Sequence, residues 1–207
     1  MVDKYIESHS SPIPEVLEWL ERETHLRTNH GRMLSGSVLG RLLVTFSKMI
    51  SPERILEIGT FTGYSAICLA QGLKEGGILD AVERNDELES LIREGFRRSG
   101  LQYKINLHIG TALEIIPTLD KMYDLVYIDG NKREYCRYYN LVIDKVAEGG
   151  YILADNVLWS GKLMERPLPQ DAQTQELARF NDMVAQDVRV ENFILPLRDG
   201  LNIIRKL

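Results

Sequence analysis

The hydrophobic positions of the chain alternate between two periods from residue 51 to residue 155. Short apolar runs of strand length are each followed by a longer segment in which apolar residues recur at helical spacing. The short runs predict strands over residues 54–58, 78–83, 105–109, 123–129 and 151–155. The intervening segments predict helices over residues 64–73, 86–99 and 112–119, and a further helix that reaches residue 146. Repeated strand–helix units indicate a mainly parallel sheet with helices on both faces.

The N-terminal part of the chain precedes this alternation. Residues 1–30 predict a helical segment, in which Pro14 suits a first helical turn. A second helix is expected over residues 37–49. Ser51-Pro52 ends it, because the residue before a proline disfavours helical geometry.

The C-terminal part of the chain predicts a different pairing of strands. A helix over residues 173–186 precedes two β-rich runs, 188–197 and 201–207. The turn Arg198-Asp199-Gly200 between them is a hairpin signal, so the last strand is expected to be antiparallel. The predicted fold class is therefore α/β: a Rossmann-like, doubly wound, mostly parallel seven-stranded sheet between two helical layers. Ligands of such sheets bind beyond the carboxyl ends of the strands.

Composition narrows the class of protein. The 207 residues carry 25 Lys and Arg against 30 Asp and Glu, which argues against a domain built to grip phosphate backbones. The length suits one domain, with helices in residues 1–50 and the sheet core in residues 51–207. Cys68 and Cys136 are expected to be buried, reduced thiols. The sequence has neither a signal peptide nor an apolar run of membrane length, so we expect a cytoplasmic protein without a membrane partner.

The turn after the first strand contains a ligand signal. In the stretch EIGTFTG, Glu57 precedes Gly59 and Gly63, which permit a sharp turn and the close approach of a ligand to the main chain. The stretch is not the pyrophosphate-binding GxGxxG pattern, and a glycine-rich turn without a ligand is an equally good interpretation. Glu83, at the end of the second strand, suits a ribose diol, although a lone glutamate there is more often solvated. Together these strand ends favour a cofactor that contains a nucleoside.

Oxygen ligands are expected at the ends of the fourth and fifth strands. Asp129 closes YDLVYID, and Asp155 and Asn156 close YILADN. Neighbouring ends of parallel strands would bring two carboxylates and an amide oxygen together, a reasonable set for a hard divalent cation such as Mg²⁺. The alternative is that these residues are only solvated, since Asp is common at strand ends.

Lys132 lies three residues after Asp129, on the first turn of the following helix. Beside a divalent cation, a lysine at this position can act as a general base near neutral pH. The alternative is a surface lysine in the charged run KRE, which for an isolated lysine is the better interpretation.

The remaining polar residues predict no second site. Ser65 is not part of a GxSxG elbow, which argues against a serine hydrolase. The histidines show no paired spacing for a metal: His9, His25, His30 and His108. Three tyrosines at helical spacing are interpreted as packing residues: Tyr135, Tyr138 and Tyr139.

Taken together, the motifs resemble those of one family. The stretches EIGTFTGYSA, IGTA, YDLVYIDGNK and LADNVLWSG, with Glu83 between the first two, resemble the small cation-dependent O-methyltransferases. That group includes the catechol and caffeoyl-CoA O-methyltransferases and their bacterial relatives, and the similarity runs from about Arg32 to Leu207. It implies the class I methyltransferase fold, S-adenosylmethionine as cofactor, and a divalent cation, with Mg²⁺ favoured over Mn²⁺ or Ca²⁺. The implied reaction methylates one hydroxyl of a small phenolic acceptor with two adjacent hydroxyl groups.

The resemblance also implies roles for individual residues. Lys132 would be the catalytic base, and Trp159 would form an aromatic wall of the acceptor site beside Lys132 and Asn156. The implied metal ligands are Asp129, Asp155 and Asn156. The implied cofactor contacts are Met33 and Ser35 at the methionine end, Glu57, Gly59, Phe61, Gly63 and Ser65 around the first turn, Glu83 at the ribose, Ala112 at the adenine, and Asp129.

The acceptor and the assembly stay open at this point. Gly130-Asn131 is smaller and more polar than the matching pair in animal catechol enzymes, and residues 1–30 follow no pattern of the family. One alternative acceptor is the hydroxyl of a modified wobble uridine in tRNA. A local basic face for it would come from Arg93, Arg97 and Arg98, or from Arg133 and Arg137. Two further alternatives are a nucleotide-dependent oxidoreductase and a non-catalytic protein that binds S-adenosylmethionine. A homodimer is expected from the family.

Overall fold

One seven-stranded sheet lies at the centre of the part of the chain that the computed structural model describes, residues 5, 6, 8–29 and 31–207. Its strands are β1 Arg54–Ile58, β2 Ile78–Glu83, β3 Ile105–Ile109, β4 Tyr123–Ile128, β5 Val146–Asp155, β6 Val190–Leu195 and β7 Leu201–Lys206. They lie in the order β3-β2-β1-β4-β5-β7-β6. Strands β1 to β5 are parallel, and β7 is antiparallel to both of its neighbours. The predicted fold class is confirmed.

Helices cover both faces of the sheet. One face carries α1 Glu15–Arg27, α2 Gly36–Ile50, α3 Tyr64–Ala70 and α4 Glu89–Arg98. The other face carries α5 Ala112–Ile115, α6 Tyr135–Val142 and α7 Ala172–Gln186. Short 3₁₀ turns connect several of these elements: Gly31–Met33, Asp86–Leu88, Ile116–Thr118, Lys132–Glu134, Ile143–Lys145 and Trp159–Met164.

Burial on both faces explains why the central strands are continuous apolar runs. In β1, Ile55 belongs to the core cluster under α1–α4, whereas Leu56 belongs to the cluster on the opposite face. Strand β4 divides Leu125 and Val126 between the same two clusters. Polar side chains with a chemical role are therefore confined largely to the points where strands end.

The predicted helix after β4 is present, but its predicted end at residue 146 is wrong. Helix α6 ends at Val142, and β5 already begins at Val146. Between Val146 and Tyr151 the pairing with β4 shifts register. Gly149 lies in this irregular stretch at φ +75°, a conformation that glycine adopts without strain. The glycine pair that the sequence places before a strand is therefore a bulge inside it.

The C-terminal hairpin is confirmed, with shorter strands than expected. Val188 lies outside β6 and is 89% exposed. The turn is formed by Arg198, Asp199 and Gly200, and both Arg198 and Gly200 have positive φ, +52° and +84°. This turn reaches the same edge of the sheet as the ends of β4 and β5, because Asp155 pairs with Leu201.

Three other expectations concern burial and the N-terminus. Cys68 is buried as expected, whereas Cys136 is only partly buried, and both thiols are free. The predicted N-terminal helix is present as α1, while the predictions for residues 1–4 and 7 and for His30 lie outside the described residues. Within the described ranges, no helix has the length and apolar character needed to cross a membrane.

Candidate active site

The ends of β4 and β5 bring two carboxylates close together. The two strands run in parallel register to their ends, so Asp129 and Asp155 follow at neighbouring positions. Asp155 is 3% exposed, and burial together with the negative charge of Asp129 raises the pKa of Asp155 to about 6. Its Oδ1 accepts from the backbone N–H of Asn156 at 2.8 Å, and its Oδ2 accepts from Tyr127 Oη at 3.3 Å. The predicted juxtaposition of the two aspartates is present.

Lys132 points into this pair of strand ends. It lies on the 3₁₀ turn before α6 rather than in the helix itself. Its Nζ donates to Asp129 Oδ1 at 2.7 Å and to Tyr135 Oη at 2.6 Å, and its side chain is 11% exposed. This placement does not fit a solvated surface lysine.

Tyr135 is a site residue that the sequence analysis interpreted only as packing. It is fully buried, and its Oη lies 2.8 Å from the carbonyl oxygen of Asp155 and 3.3 Å from that of Ile128. Burial and the neighbouring charges of Asp129 and Asp155 raise the pKa of Tyr135 well above its ordinary value, so the hydroxyl keeps its proton. The spacing of three residues from Lys132 was a usable signal, because such residues share one face of a helical turn.

The turn after β1 packs directly against the turn after β4. A Cβ on Gly59, which has φ +89°, would lie 2.5 Å from the carbonyl oxygen of Asp129. A Cβ on Gly63 would lie 2.8 Å from the Phe96 ring. The structure thus gives both glycines a packing reason in addition to the ligand approach that the sequence suggested. The contact also places Glu57 and Asp129 in the same region of the sheet edge.

Glu57 is a fully buried carboxylate with an unpaired oxygen. Its Oε2 accepts a short hydrogen bond from Thr60, while Oε1 is buried without a hydrogen-bond partner among the described residues. Burial raises the pKa of Glu57 to about 7, against the lowering effect of the neighbouring Ser65 and Thr60 hydroxyls. A buried acceptor without a donor is unusual in a protein and fits a ligand that brings a donor.

Glu83 ends β2 and is 8% exposed. Its two oxygens accept from the backbone N–H groups of Phe61 and Asn85, at 2.8 Å each. Burial raises its pKa, and the backbone N–H groups oppose that rise. Each oxygen keeps a further lone pair, so the carboxylate is fixed in orientation and still able to accept from a ligand.

The segment before α2 is tied to the C-terminal hairpin. Met33 is 55% exposed and Ser35 is 6% exposed. The guanidinium of Arg198 donates to the carbonyl oxygens of Leu34, at 3.2 Å, and of Ser35. No sequence signal marks Arg198 for this contact, because it joins positions more than 160 residues apart.

Two other predicted site residues flank this region. Ala112 is 8% exposed, starts α5 and packs in the core cluster under α5–α7. Trp159, at φ +50°, packs partly buried against that same cluster, and its indole N–H is buried without a partner among the described residues. The Asp199 side chain accepts a short hydrogen bond from the backbone N–H of Ser160, which fixes the loop that carries Trp159 to the hairpin turn.

Comparison with known proteins identifies the family. The sequence profile described as O-methyltransferase matches residues 7–207. The chain belongs to this O-methyltransferase family. Caffeoyl-CoA O-methyltransferase 2 of Populus trichocarpa is 31% identical over 211 residues, which cover 94% of this chain and 83% of the relative. Caffeoyl-CoA O-methyltransferase of Medicago sativa is 32% identical over 185 residues, covering 81% and 72%.

Solved structures agree with the sequence relatives. The O-methyltransferase TomG from Streptomyces achromogenes, in complex with S-adenosylmethionine, has a TM-score of 0.93 at 28% identity and covers 99% of this chain and 95% of its own. The methyltransferase PaMTH1 of Podospora anserina, bound to S-adenosylhomocysteine, has a TM-score of 0.91 at 28% identity, with 100% and 94% covered. The protein is an S-adenosylmethionine-dependent O-methyltransferase. The oxidoreductase and non-catalytic alternatives are therefore set aside.

Proposed function

We propose that this O-methyltransferase requires a divalent cation and methylates one of two adjacent hydroxyl groups on a small aromatic acceptor. The observation that carries the proposal is the buried Asp155 beside the negative charge of Asp129, whose Oδ1 lies 2.7 Å from the Nζ of Lys132. A base beside two carboxylates at the end of a parallel sheet matches deprotonation of a hydroxyl next to bound positive charge.

The donor set fits a hard cation. Carboxylate oxygens are preferred ligands of Mg²⁺, and Asp155, whose protonated form is favoured by burial and by Asp129, is a group that a cation would stabilise in its charged form. Within the described ranges, no group of three or more His, Cys, Asp or Glu side chains is arranged to hold a metal ion. We assign Asp129, Asp155 and the amide oxygen of Asn156 as ligands, because two carboxylates and one amide oxygen suit a hard cation. Water or acceptor oxygens would complete the shell.

The residues around the first turn fit S-adenosylmethionine. The unpaired Oε1 of Glu57 suits the ammonium group of the methionine moiety, and the oriented carboxylate of Glu83 suits the ribose diol. Ala112 leaves space for the adenine ring. The remaining assigned contacts are Met33, Ser35, Gly59, Phe61, Gly63, Ser65 and Asp129.

In the proposed mechanism the protein orients the acceptor and moves one proton. S-adenosylmethionine supplies the methyl group, and the cation supplies positive charge that lowers the pKa of an acceptor hydroxyl. Lys132 would take the hydroxyl proton at Nζ, which would leave an oxyanion able to accept the methyl group as the bond from its carbon to the sulfonium sulfur breaks. Trp159 and Asn156 border the acceptor and fix its orientation, since most of the acceleration in such a transfer comes from positioning.

The first experiment tests the cation requirement. Methyl transfer to a catechol, to a phenolic thioester such as caffeoyl-CoA and to hypomodified tRNA is measured with Mg²⁺, with EDTA, and after Mg²⁺ is restored. We expect transfer to one of the phenolic acceptors, its loss in EDTA and its recovery with Mg²⁺. Asp155→Ala should abolish transfer while leaving the calorimetric affinity for S-adenosylmethionine largely unchanged. Undiminished transfer in the chelated sample would refute the metal assignment.

The tRNA alternative gains no support from the surface of α4. Arg93 pairs with Glu89 at 2.7 Å, and Arg97 and Arg98 both pair with Glu94, at 2.8 and 2.6 Å. The two glutamates offset two of the three arginine charges, so this helix lacks the concentrated basic face that a phosphate backbone requires. Transfer to tRNA but not to phenolic acceptors in the experiment above would reverse this preference.

A further inference from the structure

Tyr135 joins the proposed base to the backbone of a proposed metal ligand. Its Oη accepts a hydrogen bond from Lys132 Nζ at 2.6 Å and lies 2.8 Å from the carbonyl oxygen of Asp155. The ring is fully buried and is held edge-on against Phe180, with centroids 5.3 Å apart and an interplanar angle of 86°. A hydroxyl fixed by packing and by a backbone acceptor is a rigid point of attachment for a flexible lysine side chain.

Among the described residues, Lys132 has one other hydrogen-bond partner, and the proposed cation competes with Lys132 for that partner. The second hydrogen bond of Nζ is to Asp129 Oδ1, at 2.7 Å. A carboxylate that ligates a cation has less charge to offer the Nζ of Lys132, so this hydrogen bond becomes weaker. We propose that Tyr135 is a positioning residue that holds the Nζ of Lys132 in place when Asp129 is committed to the divalent cation. The proposal rests on the proposed function.

The direction of these hydrogen bonds also affects where the lone pair of the Lys132 amine points. A phenol has one proton to donate, and in Tyr135 that proton points to the carbonyl oxygen of Asp155, the nearer of its two backbone acceptors. The hydroxyl oxygen is then an acceptor for Lys132. A neutral amine that donates one N–H to Tyr135 keeps its lone pair directed elsewhere, and in the proposed reaction that lone pair takes the proton of the acceptor hydroxyl.

Tyr139 provides a matched control on the same helix. It is also fully buried and also packs edge-on against Phe180, with centroids 6.1 Å apart and an angle of 80°. Its hydroxyl donates to Asp187 Oδ2 at 2.9 Å, away from the strand ends. Replacing either tyrosine by Phe removes one buried hydroxyl and keeps the ring, so general effects on folding are shared by the two variants.

The kinetic test compares the variants Tyr135→Phe, Tyr139→Phe and Lys132→Ala with the wild type. It also includes the double variant that carries both Tyr135→Phe and Lys132→Ala. We expect Tyr135→Phe to lower kcat about two- to tenfold, the range for losing one hydrogen bond between neutral groups, with unchanged KM for S-adenosylmethionine. Tyr139→Phe should match the wild type. In the Lys132→Ala background, Tyr135→Phe should have no further effect, because it acts through the lysine. An unchanged kcat for Tyr135→Phe, or an equal loss in both backgrounds, overturns the proposal.

A labelling test reads the position of Lys132 without measuring methyl transfer. Protein free of S-adenosylmethionine is treated with an amine-acetylating reagent at fixed pH, with and without Mg²⁺, and each lysine is followed by peptide mass spectrometry. In the wild type, Lys132 should be protected in both conditions. In Tyr135→Phe it should be labelled several-fold faster with Mg²⁺ than without, while Lys121 labels equally in all samples. Protection of Lys132 in Tyr135→Phe with Mg²⁺ would overturn the proposal.

The two tests separate this proposal from the proposed function. If Lys132→Ala retains wild-type kcat, the lysine is not the base and the proposed mechanism fails, whatever the labelling result. If Lys132→Ala is inactive and Tyr135→Phe is normal in both assays, the mechanism stands and only the role of Tyr135 is lost.

Discussion

Two buried aspartates, Asp155 and Asp80, have similar neighbours and opposite acid–base behaviour. They are 3% and 0% exposed, and each accepts a hydrogen bond from a buried tyrosine hydroxyl. Each also lies near a lysine, Lys132 or Lys121. The pKa of Asp155 is nevertheless raised to about 6, whereas the pKa of Asp80 lies below its ordinary value.

The number of donors around each carboxylate explains the difference. Burial alone raises the pKa of Asp80, but hydrogen bonds from His108 and Asn106, at 3.0 Å each, and the charge of Lys121 outweigh it. Lys121 Nζ at 3.4 Å and Tyr123 Oη at 3.2 Å occupy the second oxygen. Among the described residues, the hydrogen-bond donors to Asp155 are the Asn156 N–H and, in a long contact, Tyr127, and Asp155 faces the negative charge of Asp129.

The comparison separates a structural carboxylate from one that is available to a ligand. Asp80 ties β2 to β3 and to the segment before β4, and its hydrogen-bonding capacity is used within the protein. Asp155 retains capacity at the edge where ligands of such sheets bind. Burial and charge at a site are therefore less informative than the balance of donors and acceptors.

The largest effect should distinguish the two lysines. Lys132→Ala is expected to lower kcat by about 10²–10⁴-fold, the usual range for loss of a general base, whereas Lys121→Ala should leave kcat unchanged. Lys132→Arg should not restore activity, because a guanidinium stays protonated. Steady-state kinetics on a confirmed acceptor measure all three variants. Equal kcat values for the two alanine variants would remove the distinction between the surroundings of Asp155 and those of Asp80.

The next effect concerns Glu83, a buried carboxylate whose oxygens are only partly used. Glu83→Ala should lower the affinity for S-adenosylmethionine by about ten- to a hundredfold, since a hydrogen bond to a charged group contributes about 1.5–3 kcal/mol. Calorimetric titration measures the affinity, and the circular dichroism spectrum should be unchanged. Asp80→Ala is the control, because the hydrogen-bonding capacity of Asp80 is used within the protein. This variant should bind the cofactor normally. Wild-type affinity for Glu83→Ala would exclude its role at the ribose.

A smaller effect is expected on the free energy of unfolding, and it should be larger for the Asp80 variant than for the Asp155 variant. Asp80→Ala leaves the donors of His108, Asn106 and Tyr123 without their acceptor, and is expected to cost about 1–3 kcal/mol of unfolding free energy. Asp155→Ala removes an underpaired buried charge and should change stability less. Urea denaturation of both variants gives the comparison. A larger loss for Asp155→Ala than for Asp80→Ala would contradict the assignment of roles.

The smallest effect is a pH dependence that follows from Glu57. Its folded-state pKa of about 7 exceeds its ordinary value of 4.5, so the folded protein holds the extra proton between these pH values. The unfolding free energy should therefore fall as pH rises from about 4.5 to 7, by a fraction of the about 1.4 kcal/mol per pH unit that one proton allows. Glu57→Gln should show a shallower fall in denaturation without cofactor. The lowered pKa of Asp80 acts with the opposite sign, since its stabilisation is lost only as pH falls below about 4.

Local patterns in the sequence accounted for the strand ends and for where the candidate site residues lie along them. Each of the first four strands, and the last five residues of β5, is a short apolar run followed by turn or polar residues, and in a parallel sheet such ends meet at one edge. The positions of Glu57, Glu83, Asp129 and Asp155 follow from that rule. Lys132 follows from its spacing to Asp129. The glycine pair before residue 151 led to a wrong prediction of where β5 begins, because a bulge inside a strand and a loop before it have the same local sequence.

The sequence by itself determined which residues form strands, which strand ends carry polar groups and which family the chain resembles, since these depend on local spacing and order. Only the tertiary structure decided how well each buried carboxylate is paired. Asp80 and Asp155 are both aspartates in apolar strands, and their donors come from positions up to 43 and 28 residues away. Tyr135 and Arg198 gained their contacts in the same way, because hydrogen bonds between distant segments are set by packing that no local pattern encodes.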